Sequence, residues 1–158
     1  MFLPVLTLED GTKIAQSLMI ELYLAAKSPV KLLGDSLEKQ AEVTSLLLQV
    51  YDLHYSFARF WFALPEAERT VEKAQKEATE GDISKVLDGF SRYLTNVRTD
   101  FLFGDSISLA DLAIFNVRNL MDKFPDEVFP VRFIAIANKV AQIPEIADYV
   151  AQRPITPF

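Results

Sequence analysis

Residues 2–27 read FLPVLTLEDGTKIAQSLMIELYLAAK, a stretch whose hydrophobic spacing changes halfway. Val5 to Leu8 and Thr12 to Ala15 are short apolar runs flanking Glu9-Asp10-Gly11, and an Asp-Gly pair in that setting predicts an antiparallel hairpin. From Ser17 the spacing becomes helical. Leu18, Leu22 and Ala25 share one face with Ile20 to Leu24 alongside, and the helix should stop near Lys27 ahead of Pro29. Everything downstream reads as helix, so the fold class expected is mainly α, with a β-hairpin and one helix placed before a helical bundle.

The next start is Asp35-Ser36-Leu37-Glu38, which has capping-box spacing with Asp35 as the cap, and predicts a long helix to about Leu64. Its polar residues Ser45, Gln49, Asp52, Ser56 and Arg59 recur at intervals of four and three, forming one stripe on an apolar rod. That stripe must meet water, a cleft or another subunit. Pro65 to Asp82 is charged enough for a mobile connection or a solvated helix. Asp82 reads as the cap of a helix burying Ile83, Val86, Leu87, Phe90, Tyr93, Leu94 and Val97. Two further helices are expected, Val131 to Ala141 ended by Pro144 and Glu145 to Gln152 ended by Pro154. In GDSISLADLAIF, residues 104–115, Ser108 and Asp111 have capping-box spacing, and Ile107 and Leu112 stand where a hydrophobic staple would close. This pair reads as structural.

Half of the 158 residues are hydrophobic, enough for one packed domain or one domain plus part of another. With 22 acidic and 16 basic residues the net charge of -6 repels phosphates and anionic lipid, so neither nucleic acid nor a membrane is expected as a partner. The absence of cysteine rules out disulfides, thiolate metal sites and a cysteine nucleophile, leaving any thiol chemistry to a ligand. The single histidine, His54, has no spaced set of metal-binding partners, and no metal is expected. Serine elbow, phosphate loop and dinucleotide fingerprints are lacking. The apolar runs are broken by Glu21, Arg132 or Lys139, and MFLPVL is no secretory signal, so the expected location is cytoplasmic.

Pro-Val-Leu followed by an acidic hairpin and Gln16-Ser17 at a helix start resembles the end of the thioredoxin-like domain of glutathione transferases. FGDSISLAD, residues 103–111, resembles the buried capping motif of that family's helical domain, and QRPITPF, residues 152–158, resembles nematode sigma-class members. The resemblance covers essentially the whole chain. It implies a thioredoxin-like remnant over residues 1–28, joined at its third strand, and an all-helical C-terminal domain over residues 29–158. It also implies that the strand supplying the catalytic tyrosine of sigma-class members lies outside these 158 residues, so no catalytic residue is assigned within them.

By the same resemblance, glutathione is the substrate, conjugated through its thiolate to a hydrophobic electrophile in a detoxifying reaction, and the protein is a homodimer. Phe2, Leu3 and Pro4 would present backbone to its cysteinyl part, the last two across a cis peptide bond. Without the resemblance, Pro4 could equally start an edge strand. Gln16 and Ser17 would hold the γ-glutamyl carboxylate at a helix N-terminus; their plainer reading is an ordinary cap. Asp52 would reach across the dimer interface to the glutamyl amine of the other subunit's glutathione, or simply be a solvated helix residue. His54 would lie near the electrophile pocket, among Tyr55, Phe57, Phe60, Trp61 and Phe62, most of which read as core. The alternative function is a noncatalytic relative acting as a structural or dimerising binding protein.

Overall fold

The computed structural model describes residues 3–154. Two short strands, β1 (Val5–Thr7) and β2 (Lys13–Ala15), pair antiparallel with Leu6 opposite Ile14. The turn between them is closed by backbone bonds from Leu8 N–H to Thr12 O at 2.9 Å and from Gly11 N–H to Leu8 O at 3.0 Å. Asp10 Oδ1 accepts the Thr12 amide at 2.9 Å, and Gly11 takes the left-handed φ of 85° that a side chain would oppose. The hairpin leads directly into α1 (Ser17–Lys27).

The remaining elements are helical. They are α2 (Leu37–Trp61), α3 (Val71–Glu80), α4 (Asp82–Leu94), α5 (Leu109–Leu120), α6 (Val131–Ala141) and α7 (Pro144–Gln152). Short 3-10 turns at Glu66–Glu68 and Asp126–Val128 interrupt the connections. α5 sits between α2 and α6, and α4 packs on α2, α3 and α6. The apolar seam of α2, from Val43 through Leu46, Leu47, Val50 and Leu53 to Phe57, is buried throughout. Phe124 closes the lower end of this core, its ring 5.8 Å from those of both Phe57 and Trp61. Such a tilted aromatic cluster adds edge attraction to the burial of large apolar area.

Several local expectations are refined or shifted. The cap of α2 is Ser36, one residue later than Asp35, with Ser36 Oγ accepting the Lys39 amide at 3.2 Å. Capping needs the oxygen three residues before the receiving amide, and a helix beginning at Leu37 meets that from Ser36. Asp82 is the first residue of α4 and not its cap. Glu77 Oε1 from the preceding helix accepts the Asp82 and Ile83 amides at 2.9 and 3.3 Å in its place. The charged stretch before α4 forms the helix α3, whose Ala74 and Ala78 are small enough to bury against α4. Tyr93, expected on the buried side of α4, is exposed at 38%.

No helix among the described residues is long and apolar enough to cross a membrane. Two bonds tie the hairpin end to the bundle. Leu109 N–H donates to Leu32 O at 2.8 Å, and the Tyr51 hydroxyl of α2 donates to Glu21 Oε1 of α1 at 2.8 Å.

Candidate glutathione site

The start of α1 is unusual because its cap residue, Gln16, lies at φ 76° and ψ 128°. It is the one non-glycine residue with positive φ among those described. A side chain in that region costs on the order of 1–3 kcal/mol, which persists only where surrounding structure imposes it. Here the imposing contact is backbone: Gln16 N–H donates to Pro4 O at 3.2 Å, across the hairpin. The Leu3-Pro4 peptide is cis. Leu3, Pro4, Gln16 and Ser17 are therefore brought together in one corner, and all four are exposed.

No side chain caps α1, and no acidic residue occupies its first turn. The first amides of a helix point outward unpaired and carry the positive end of its dipole. An uncapped, exposed start beside a serine hydroxyl accepts a carboxylate without displacing an internal bond. Phe2 lies outside the described residues, as does the ITPF end of the C-terminal motif, residues 155–158.

Asp52 is exposed on α2 and makes no hydrogen bond or ion pair among the described residues, so its carboxylate is free for an external cation. It directly follows Tyr51, whose bond to Glu21 fixes that part of α2 against α1. His54 is half-buried and stacked on Tyr55, the ring centroids 6.1 Å apart and the planes 17° apart. Burial holds its pKa below the ordinary 6.5, against the opposing pull of Glu21. The Tyr51 phenol is pushed far above its usual range by burial first and by Glu21 second, as acceptor and as charge. A phenol so engaged is unsuited to stabilising a neighbouring thiolate.

The aromatic residues around His54 separate by helical angle. Phe57 and Trp61 are core, Phe60 is partly buried against it, and Tyr55 and Phe62 are exposed at 62% and 48%. Ser45 and Gln49 of the polar stripe line an open groove of 310 Å³ with Tyr93 of α4. No group of three metal-binding side chains occurs among the described residues. Glu21 and Tyr51 were not singled out from sequence as a pair. The signal was present, since Glu21 is the lone charge in the apolar run from Leu18 to Leu24 and needs a polar partner once packed.

Ser108 and Asp111 form a different arrangement at the start of α5. Both are buried, Asp111 completely. Asp111 Oδ2 accepts from Ser108 N–H at 2.8 Å and from Ser108 O–H at 2.6 Å, while Oδ1 accepts from Leu102 N–H at 3.0 Å. Ser108 Oγ accepts the Asp111 amide at 3.4 Å, closing the box. Burial raises the Asp111 pKa against the pull of these donors.

The sequence profile of the glutathione S-transferase C-terminal domain matches residues 51–153. The chain is 31% identical over 156 residues to glutathione S-transferase 4 of Caenorhabditis elegans, covering 96% of this chain and 73% of that protein. It is 34% identical over 153 residues to probable glutathione S-transferase 5 of the same nematode, covering 94% and 72% respectively. The crystal structure of a major nematode-specific transferase from C. elegans superposes with a TM-score of 0.74 at 32% identity, over 99% of this chain and 76% of that one. With the family domain spanning most of its length and such relatives along nearly all of it, the chain belongs to the glutathione S-transferase family.

Proposed function

We propose that the protein is a sigma-class-like, nematode-type member that binds glutathione at the α1 corner. The observation that carries this reading is Gln16, held in a left-handed conformation at an uncapped, exposed helix start. The γ-glutamyl carboxylate would accept the first α1 amides and the Ser17 hydroxyl, and the backbone of Leu3, before Pro4, would meet the cysteinyl amide as a strand edge does. Asp52 would pair with the glutamyl ammonium of the glutathione held by a second copy, with the Ser45 and Gln49 groove at the contact between copies. His54 would border the electrophile.

The family reaction forms a bond from the glutathione sulfur, as thiolate, to the electrophilic atom; a leaving group departs with its electron pair or the adduct takes up a proton. The thiol must be ionised near neutral pH, below its ordinary pKa of about 8.5. No side chain of this chain is assigned to that step. The second reading is a noncatalytic, dimerising glutathione-binding protein of the cytoplasm, favoured by the engagement of Tyr51 with Glu21, which withdraws that phenol from acid-base work.

Calorimetry with glutathione and a conjugation assay with an aryl halide separate these readings. Saturable binding that weakens ~10-fold in Ser17→Ala supports the corner, by loss of one hydrogen bond to a charged group. Binding without turnover above the uncatalysed rate selects the second reading. Undiminished affinity in both Ser17→Ala and Gln16→Gly would move the ligand elsewhere.

A further inference from the structure

The hairpin and α1 meet the helical bundle through an apolar face and one directional bond. Leu18 and Leu22 pack on the core, and Ala25 is buried in it. Among the described residues, the bond from the Tyr51 hydroxyl to Glu21 Oε1, at 2.8 Å, is the one hydrogen bond between residues 3–27 and a helix of the bundle. Glu21 is half-buried and makes no ion pair among those residues, so its carboxylate has a neutral phenol as partner. Two apolar side chains would close the same contact without desolvating a charge. What the polar pair adds is direction. Hydrophobic contact is non-directional and leaves a helix free to slide or turn on its neighbour, whereas a hydrogen bond at one point fixes both.

That point is close to the open helix start. Ser17, Glu21 and Ala25 recur at intervals of four, along one stripe of α1. Ala25 anchors the far end of the stripe in the core, Glu21 is bonded in the middle, and Ser17 is exposed at the near end. The donor is equally well held, because Val50 and Leu53, on either side of Tyr51 and Asp52, are completely buried on α2. His54 is the other titratable group that feels the Glu21 charge from α2. Burial holds its pKa below 6.5, so above neutrality the ring is uncharged and leaves Glu21 to Tyr51.

We propose that Tyr51 and Glu21 are positioning residues for the anion corner: their bond sets where the first turn of α1 stands against the bundle. Both act through Ser17 and the first α1 amides. The proposal rests on the reading of that corner as the seat of the γ-glutamyl carboxylate. Carboxylate affinity at one helix start is then governed by a hydroxyl carried on another helix.

Calorimetry on the intact protein, at about pH 7.5, with glutathione and with 4-aminobutyryl-Cys-Gly tests this, the second peptide being glutathione without its γ-glutamyl carboxylate. The native protein should prefer glutathione by roughly 10-fold to 100-fold, the ratio expected for charged hydrogen bonds. Tyr51→Phe should weaken glutathione ~3-fold to 10-fold through lost preorganisation and leave the analogue nearly unchanged, so that the preference shrinks. Glu21→Ala should show the same loss, and the double variant no more than either alone, since all three break one bond. Glu21→Gln keeps an acceptor for Tyr51 and should retain the preference. A merely structural role would lower Tm and weaken both peptides alike. Equal weakening of both peptides in Tyr51→Phe, an unchanged preference, losses that add in the double variant, or a Glu21→Gln variant as weak as Tyr51→Phe would overturn the proposal and leave the corner reading standing. Equal binding of the two peptides by the native protein, or binding of neither, would remove the corner reading and this proposal with it.

Discussion

Two helix starts in this protein solve the same problem in opposite ways. At α5 the unpaired amides are satisfied internally, by a serine and an aspartate that are themselves buried and mutually bonded. At α1 they are left open to solvent, with no side-chain cap and with Gln16 held in a conformation that its side chain disfavours. The first arrangement gains stability from completeness. The second retains a conformational cost at Gln16, imposed by the backbone bond to Pro4, and it lies in the part of the chain where the family resemblance would put glutathione. Polar chemistry at a helix start therefore serves the fold where it is closed and is available for binding where it is open.

The contrast is tested most severely at Asp111. Asp111→Ala would leave the Leu102 amide, the Ser108 amide and the Ser108 hydroxyl without their acceptor, all in a buried site. At the usual cost of unmatched buried donors, about 3–5 kcal/mol should be lost in urea unfolding, a large part of a typical domain's stability. Asp111→Asn keeps one acceptor oxygen but turns an amide donor toward other donors, so an intermediate loss is expected. A cost below about 1 kcal/mol for the alanine variant would show that water enters and replaces the carboxylate.

Ser108→Ala removes one member of the same box. It should cost about 1 kcal/mol, the common value for a lost cap, because Asp111 still receives the Ser108 amide. Gln16→Gly probes the open start and should have the opposite sign. Glycine takes positive φ freely, so stability should hold or rise by about 1 kcal/mol while glutathione affinity falls. If Gln16→Gly is destabilising, the left-handed cap is paid back within the fold and the two starts differ less than proposed.

Much of this architecture was legible in the sequence because its signals are local. The hairpin followed from Asp10-Gly11, the α5 start from the spacing of Ser108 and Asp111, and the end of α1 from Pro29. The misreadings came where two neighbouring residues could do one job, as with Asp35 and Ser36, or where a residue of another helix took it over, as Glu77 does for α4. The candidate corner was named from sequence, but its left-handed cap was not, because glutamine carries no local preference for positive φ. That conformation is set by the Pro4 carbonyl twelve residues earlier.

The smallest expected effect concerns His54, which lies between the two kinds of environment, half-buried on α2 and within reach of the charge on Glu21. Burial lowers its pKa in the folded protein, and Glu21 only partly opposes this. The charged ring is thus less favoured in the folded state than in the unfolded one, and the unfolded chain binds the extra proton first. The stability associated with a neutral His54 is present above the ordinary pKa of 6.5 and lost as pH falls through the lower folded value. Because the ring keeps considerable solvent contact, the change should be a small fall in Tm, seen best as the difference between the native protein and His54→Gln across that interval. Glu21→Gln should deepen the fall, by removing the charge that favours the imidazolium while keeping an acceptor for Tyr51. A native protein that gains Tm on acidification relative to His54→Gln would reverse the sign, making Glu21 and not burial the dominant influence where α1 meets the bundle.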